Sequence, residues 1–236
     1  MNKTKIIIAL LVIATISSSF KGADKANIWL IGDSTMAAKK AERNPESGWG
    51  VELSDYVTEK AQVHNHAASG RSTKSFVDEG RWKIVKDSLK KGDYVVIEFG
   101  HNDEKVEEKL HTDAQTSFKD NLRNFVRETR AKGGIPVICS SIVRRKFDET
   151  GNLVDTHGDY IAAAEEVAQE TKTIYVDMEK ETRQLVIKLG PEKSKDLYNY
   201  GKKDDTHLNH YGAKVVAGLF VQEIKYQQLK LANLFK

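Results

Sequence analysis

Apolar and polar positions follow two rhythms along this chain. Five short runs rich in apolar and β-branched residues occur at 27–32 (NIWLIG), 62–67 (QVHNHA), 93–99 (DYVVIEF), 135–140 (IPVICS) and 173–177 (TIYVD). Their length and composition predict strands. Longer stretches with helical spacing separate the later ones. TDAQTSFKDNLRNFVRETRAKGG (112–134) sets Phe118, Leu122, Phe125 and Val126 on one face and ends in Gly-Gly, a helix stop. GDYIAAAEEVAQETK (158–172) and NHYGAKVVAGLFVQEIKYQQL (209–229) also read as helices. Strands alternating with helices predict a parallel sheet covered on both faces. The expected fold class is therefore α/β, a three-layer α/β/α sandwich with a five-stranded parallel sheet, flavodoxin-like.

The first stretch breaks the rhythm. MNKTK is basic, IIIALLVIATI is apolar and SSSFKGA is small and polar, which is the order of a secretory signal peptide. The apolar run falls short of the ~20 residues of a membrane span. No cysteine follows it, so neither a lipoprotein anchor nor a stable membrane anchor is expected. Residues 1–23 read as a leader cut between 19 and 23, and 24–236 as one domain in the periplasm or outside the cell. There is no internal repeat, low-complexity run or Ser/Pro-rich linker. The leader also explains the net charge. Taking Lys3, Lys5 and Lys21 from the 37 basic residues leaves 34, against 34 acidic ones. A balanced mature chain gives no electrostatic footprint for nucleic acid. The sole cysteine, Cys139, cannot form an internal disulfide, and its apolar surroundings favour a buried thiol over a nucleophile.

Ligands of open parallel sheets sit beyond the carboxyl ends of the strands. Ser34 follows the first strand, AASGRSTKSF the second, GHND the third and SSIVRRKFD the fourth. A serine in a turn is commonly only a turn former or helix cap. A nucleophilic one needs a base, and seven histidines are available: His64, His66, His101, His111, His157, His207 and His210. His207 stands just before the last helix, three residues after Asp204. An Asp-x-x-His turn lets a carboxylate hold the imidazole Nδ1–H so that Nε2 faces a nucleophile. The same DDTH is equally a helix N-terminus with acids facing the dipole. No zinc-type spacing such as HExxH occurs, so no metal or other cofactor is expected.

IGDST, Gly70 in AASGRSTKSF, FGHND and DDTHLNHYGA together resemble, in order, the four blocks of the SGNH (GDSL-type) hydrolase superfamily. They span residues 28–213. GWG (48–50), GRSTKSFVDEGRW (70–82) and RRKFDETGNLVDTHGDY (144–160) are similar to its rhamnogalacturonan acetylesterase branch. The resemblance implies a Ser34 nucleophile, a His207 base and an Asp204 orienting acid. It implies an oxyanion hole from the Ser34 and Gly70 backbone and the Asn102 amide. It also implies a secreted acetylesterase whose partner is an acetylated pectic polysaccharide or oligosaccharide. Rhamnogalacturonan is polyanionic, so Arg71, Lys74, Arg144 and Arg145 are candidate carboxylate ligands, set against a solvated basic surface. His101 either contacts substrate or braces its turn. Trp49 and Trp82 could stack on sugar rings, although such residues are more often core. Two other functions remain: an esterase for xylan, another glycan, a lipid or a thioester, and a catalytically silent carbohydrate-binding protein. The complete set Ser34, Gly70, Asn102, Asp204 and His207 argues against the silent one.

Overall fold

The computed structural model describes residues 25–236, so the expected leader lies outside the described residues. Five strands, β1 (Ala26–Gly32), β2 (Ala61–Asn65), β3 (Tyr94–Glu98), β4 (Ile135–Cys139) and β5 (Ile174–Val176), form one parallel sheet in the order β2-β1-β3-β4-β5. Each coincides with one of the five apolar runs. The helices are α1 (Trp49–Glu52), α2 (Thr73–Asp78), α3 (Arg81–Ser88), α4 (Lys119–Ala131), α5 (Asp159–Thr171), α6 (Met178–Lys193) and α7 (His210–Tyr226).

Successive side chains of a strand point to opposite faces, so a doubly covered strand is apolar at every position. On β1, Ile28 and Leu30 join a core with Trp49 of α1, Val186 of α6 and Phe220 of α7. Trp29 and Ile31 join the opposite core with Phe76 of α2, Trp82 of α3, Phe125 of α4 and Val167 of α5. A fully buried side chain of this size contributes about 1.5–3 kcal/mol. Trp49 and Trp82 both serve these cores and are not exposed to a ligand. Phe118, Leu122, Phe125 and Val126 all bury as their spacing predicts. Phe118 belongs to a wider π turn, Ala114–Phe118, capped by the Asp113 carboxylate, which leads into α4.

Helix α6 gave little periodic signal, because its buried residues are only Met178, Thr182 and Val186 and Gly190-Pro191 kinks it. The strand ends are level. Gly32 pairs in register with Glu98, and Glu98 with Cys139. The loops after β1, β2, β3 and β4 therefore rise from one edge of the sheet. No helix among the described residues is long and apolar enough to cross a membrane.

Candidate active site

The turn after β1 is tied from within. The Asp33 carboxylate accepts the Thr35 N–H and hydroxyl, each at 2.9 Å, and the Asp33 carbonyl accepts the Ala37 N–H. Helix α1 presses on the far side. A Cβ at Gly48 would stand 2.4 Å from the Ala37 carbonyl oxygen, and one at Gly50 2.7 Å from Met36 Cγ, so GWG lets α1 approach this turn. Trp49 N–H donates to the Thr35 carbonyl at 3.0 Å. Ser34 is thereby presented at the carboxyl edge of the sheet, 8% exposed.

The last loop supplies its partner. Asn209 caps α7 by accepting the Gly212 N–H, and its amide donates to the Asp196 and Tyr198 carbonyls. His207 just upstream is fixed by its own backbone: its carbonyl accepts the Asn199 N–H at 2.8 Å, and its N–H donates to Asp204 Oδ1 at 3.0 Å. Asp204 Oδ2 lies 2.8 Å from His207 Nδ1, and His207 Nε2 lies 2.9 Å from Ser34 Oγ. Burial works against ionisation of Asp204, but the His207 side chain and the backbone N–H groups of His207 and Thr206 outweigh it. The carboxyl is held well below the usual range. Asp205, its neighbour, turns away and pairs with Arg145 at 2.9 Å.

Gly70 has φ +76° and nothing within 4 Å of where a Cβ would sit. Among the described residues, neither its N–H nor that of Ser34 finds an acceptor. Two backbone donors, one on Ser34 and one on Gly70, thus remain free in the cleft that both residues line. Asn102 is buried and donates one of its amide N–H groups to the Arg71 carbonyl at 3.1 Å, which leaves the second unused. Asp103 holds that loop in place. It accepts from the Thr73 N–H at 3.0 Å and from the Thr112 hydroxyl at 2.9 Å. Burial raises its carboxyl to about 7.

Ser34, Gly70, Asn102 and His207 line one cleft of about 550 Å³ with Lys39, Lys40, Arg43 and Lys105. A smaller hollow of about 310 Å³ adjoins it across Gly70 and carries Arg71, whose guanidinium pairs with Glu79 at 3.0 Å and donates to the Ser69 carbonyl. The other expected ligand residues are engaged elsewhere. Lys74 donates to the Glu108 carbonyl. Arg144 pairs with Glu104 and donates to the Thr156 carbonyl. Arg145 is buried against Asp205 and the Tyr200 ring. His101 is buried beside His157, with no partner for either ring nitrogen. Buried guanidinium groups need fixed counter-charges, which draws Arg144 and Arg145 inward.

The cleft's own cations were not singled out by spacing. Lys39 donates to the Ser34 carbonyl and pairs with Glu46 at 2.8 Å, and Arg43 pairs with Glu46 as well. Lys40 and Lys105 have no ion-pair partner among the described residues. Among the described residues, metal-binding atoms approach one another within 4.8 Å in two groups, His101–Glu104–His157 and Glu46–Asp204–His207. In both, the glutamate already carries a cationic partner, Arg144 or Lys39.

A serine hydroxyl on an imidazole, an imidazole on a carboxylate and free N–H donors on the same cleft, all at the carboxyl edge of a five-stranded parallel sheet, define a serine hydrolase. The chain belongs to the GDSL-like Lipase/Acylhydrolase family, whose profile matches residues 30–215. It is 36% identical over 217 residues to the rhamnogalacturonan acetylesterase RhgT of Bacillus subtilis, covering 87% of this chain and 92% of that protein. The crystal structure of YxiM from Bacillus subtilis superposes with a TM-score of 0.79 at 29% identity, over 87% of this chain and 58% of that one. An acetylxylan esterase of Geobacillus stearothermophilus, Axe2, shares the fold at a TM-score of 0.62 and 20% identity, over 88% of this chain and 97% of that one.

Proposed function

We propose that this chain is an exported carbohydrate O-acetylesterase that acts on rhamnogalacturonan, with Ser34 as nucleophile, His207 as general base and acid, and Asp204 as the orienting acid. The observation that carries the chemistry is the continuous hydrogen-bonded path from Ser34 Oγ through His207 to Asp204, opening on the cleft. Substrate identity is supported by the likeness to RhgT and by the unpaired Lys40 and Lys105 in that cleft. Export rests on the basic-apolar-polar order of residues 1–23.

Ser34 Oγ attacks the acetyl carbonyl as its proton passes to His207 Nε2. Negative charge then develops on the carbonyl oxygen, where the N–H groups of Ser34 and Gly70 and the Asn102 amide receive it. The tetrahedral adduct collapses, and the sugar oxygen leaves with the proton from His207. Water, deprotonated by the same imidazole, attacks the acetyl-serine. Acetate departs and the Ser34 hydroxyl is restored. The free N–H groups of Ser34 and Gly70 need not leave other partners during this cycle, whereas a donor already engaged would have to. Asn102→Ala is expected to lower kcat by about 10²–10³, because one donor to the oxyanion is worth ~3 kcal/mol, with a smaller change in KM. An unaltered kcat, measured on p-nitrophenyl acetate, removes Asn102 from the hole.

The substrate is tested by acetate release from acetylated rhamnogalacturonan and acetylated xylan under one condition. Faster release from xylan overturns the proposed substrate. Lys40 and Lys105 provide a second test. Exposed ion contacts are worth about 0.2–1 kcal/mol each, so replacing both lysines by glutamine should cost roughly two- to thirtyfold in kcat/KM on the acidic polymer beyond any loss on p-nitrophenyl acetate. That excess should shrink as salt rises. Equal losses on both substrates remove the carboxylate-binding role.

A further inference from the structure

Three side chains packed under the Ser34 turn take no part in the acyl-transfer steps. Asp33, Thr35 and Glu98 are each at most 1% exposed. Asp33 and Thr35 flank Ser34 in the chain, and Glu98 ends β3 in register with Gly32. The Thr35 hydroxyl stands 2.9 Å from Asp33 Oδ1 and 3.1 Å from Glu98 Oε1. A hydroxyl has one proton, so it donates to one of these oxygens and accepts from the other. Two ionised carboxylates cannot satisfy that arrangement, because the hydroxyl oxygen would then face a bare negative oxygen. One of the two acids carries a proton.

Their neighbours decide which. Asp33 Oδ1 also accepts the Thr35 N–H at 2.9 Å, so it is the acceptor of a paired backbone and hydroxyl contact. Glu98 Oε2 accepts the Trp49 indole N–H, while Oε1 has only a long contact of 3.3 Å from the Ile142 N–H besides Thr35. Glu98 Oε1 is the oxygen with room for a proton directed at Thr35. We propose that Glu98 is a neutral carboxylic acid in the working enzyme and that its proton, donated to the Thr35 hydroxyl while that hydroxyl donates to Asp33, positions the Ser34 turn.

The surroundings agree. Burial, and after it the charge of Asp33 just past β1, push the Glu98 carboxyl up to about 8. Cys139 on β4 is in register with Glu98, and burial pushes its thiol well up, so it stays a neutral neighbour. Burial raises Asp33 too; its bonds from Thr35 and the charges of His207 and Lys39 oppose the rise. Asp103, beyond the third strand, also feels the Asp33 charge. A second negative charge in this dry pocket would set Glu98 against Asp33 across a single hydroxyl and displace the turn that carries Ser34. Glu98 touches no reacting atom and is a positioning residue.

Glu98→Gln is the test, because an amide offers an N–H to Thr35 and a carbonyl to Trp49 and so reproduces the neutral acid. On p-nitrophenyl acetate, wild-type kcat should fall about tenfold per pH unit above about 8, as for loss of one essential proton. Glu98→Gln should keep kcat within about threefold of wild type at pH 7 and lack that fall, whereas Glu98→Ala should lose at least about tenfold at pH 7 with little change in KM. Stability gives a second reading. A carboxyl raised from 4.5 to about 8 contributes stability that is full below 4.5 and is lost as pH rises through about 8. The amide has no such loss, so the Tm of Glu98→Gln minus that of wild type should grow between those pH values. A Glu98→Gln protein that does not fold, that keeps the wild-type alkaline fall, or whose Tm difference is independent of pH overturns the proposal. This readout uses the esterase reading but not the identity of the glycan, so a different natural substrate leaves the test intact.

Discussion

Ser34→Ala is expected to lower kcat on any acetyl ester by on the order of 10⁶, the scale on which a serine hydrolase loses activity with its nucleophile. The reason is that no other group can take over the attack. Ser34 Oγ is the hydroxyl within hydrogen-bond distance of His207 Nε2, at 2.9 Å. The other hydroxyl of the turn, Thr35, is buried beneath it and occupied with Asp33 and Glu98. The fold should persist, since the Ser34 side chain supports no backbone group in the turn; the Asp33 carboxylate and the Trp49 N–H do that. Covalent labelling by an organophosphonate should vanish along with activity, while circular dichroism stays that of wild type. Labelling that survives the substitution would place the nucleophile elsewhere.

The second large effect separates two adjacent acids of equal charge. Asp204→Asn is expected to reduce kcat by up to about 10⁴, because an amide in place of the carboxylate can present an N–H to His207 Nδ1 and favour the tautomer with its proton on Nε2, where it cannot act as a base. The backbone N–H groups of Thr206 and His207 still find the remaining amide oxygen, so the loop should survive. Asp205→Asn should leave kcat within about threefold. It faces Arg145 instead of the imidazole, in an ion contact whose N–H is not aligned as a hydrogen bond. Asp205 is half-exposed but is the counter-charge of the buried Arg145, so its loss should cost about 1–3 kcal/mol, read as a fall in Tm. Both variants are compared at one pH. If Asp205→Asn proved the crippled enzyme, the orienting acid would have been assigned to the wrong residue, and Ser34 and His207 could still stand.

Several residues of this site were silent in the one-dimensional pattern. Glu98 stood in an otherwise apolar strand, and a lone charge in a run buried on both faces is the signal that could have marked it. Its partner Asp33 lay in plain view in IGDST but read as part of a turn. Lys40 and Lys105 carried no distinguishing neighbour. Conversely, Arg144 and Arg145 looked like ligands because they follow β4 at the site edge, yet Glu104 and Asp205 claim them. Sequence position says which end of the sheet a side chain leaves from; it does not say whether the chain folds back on a counter-charge.

What the sequence by itself determined was the frame: five strands, the parallel sheet, the loops that meet at its carboxyl edge, and an acid, Asp204, within a turn's reach of His207. These are local or periodic properties, set by where apolar side chains must be hidden and by the short reach of a turn. Tertiary structure alone decided which cations face the cleft, where His101 lies, and that Asp33 and Glu98 meet across Thr35. Asp33 and Glu98 are 65 positions apart and come together only because β1 and β3 are neighbours in the sheet, with Gly32 opposite Glu98. Burial and proximity of that kind arise when the chain is packed, and no spacing along it encodes them.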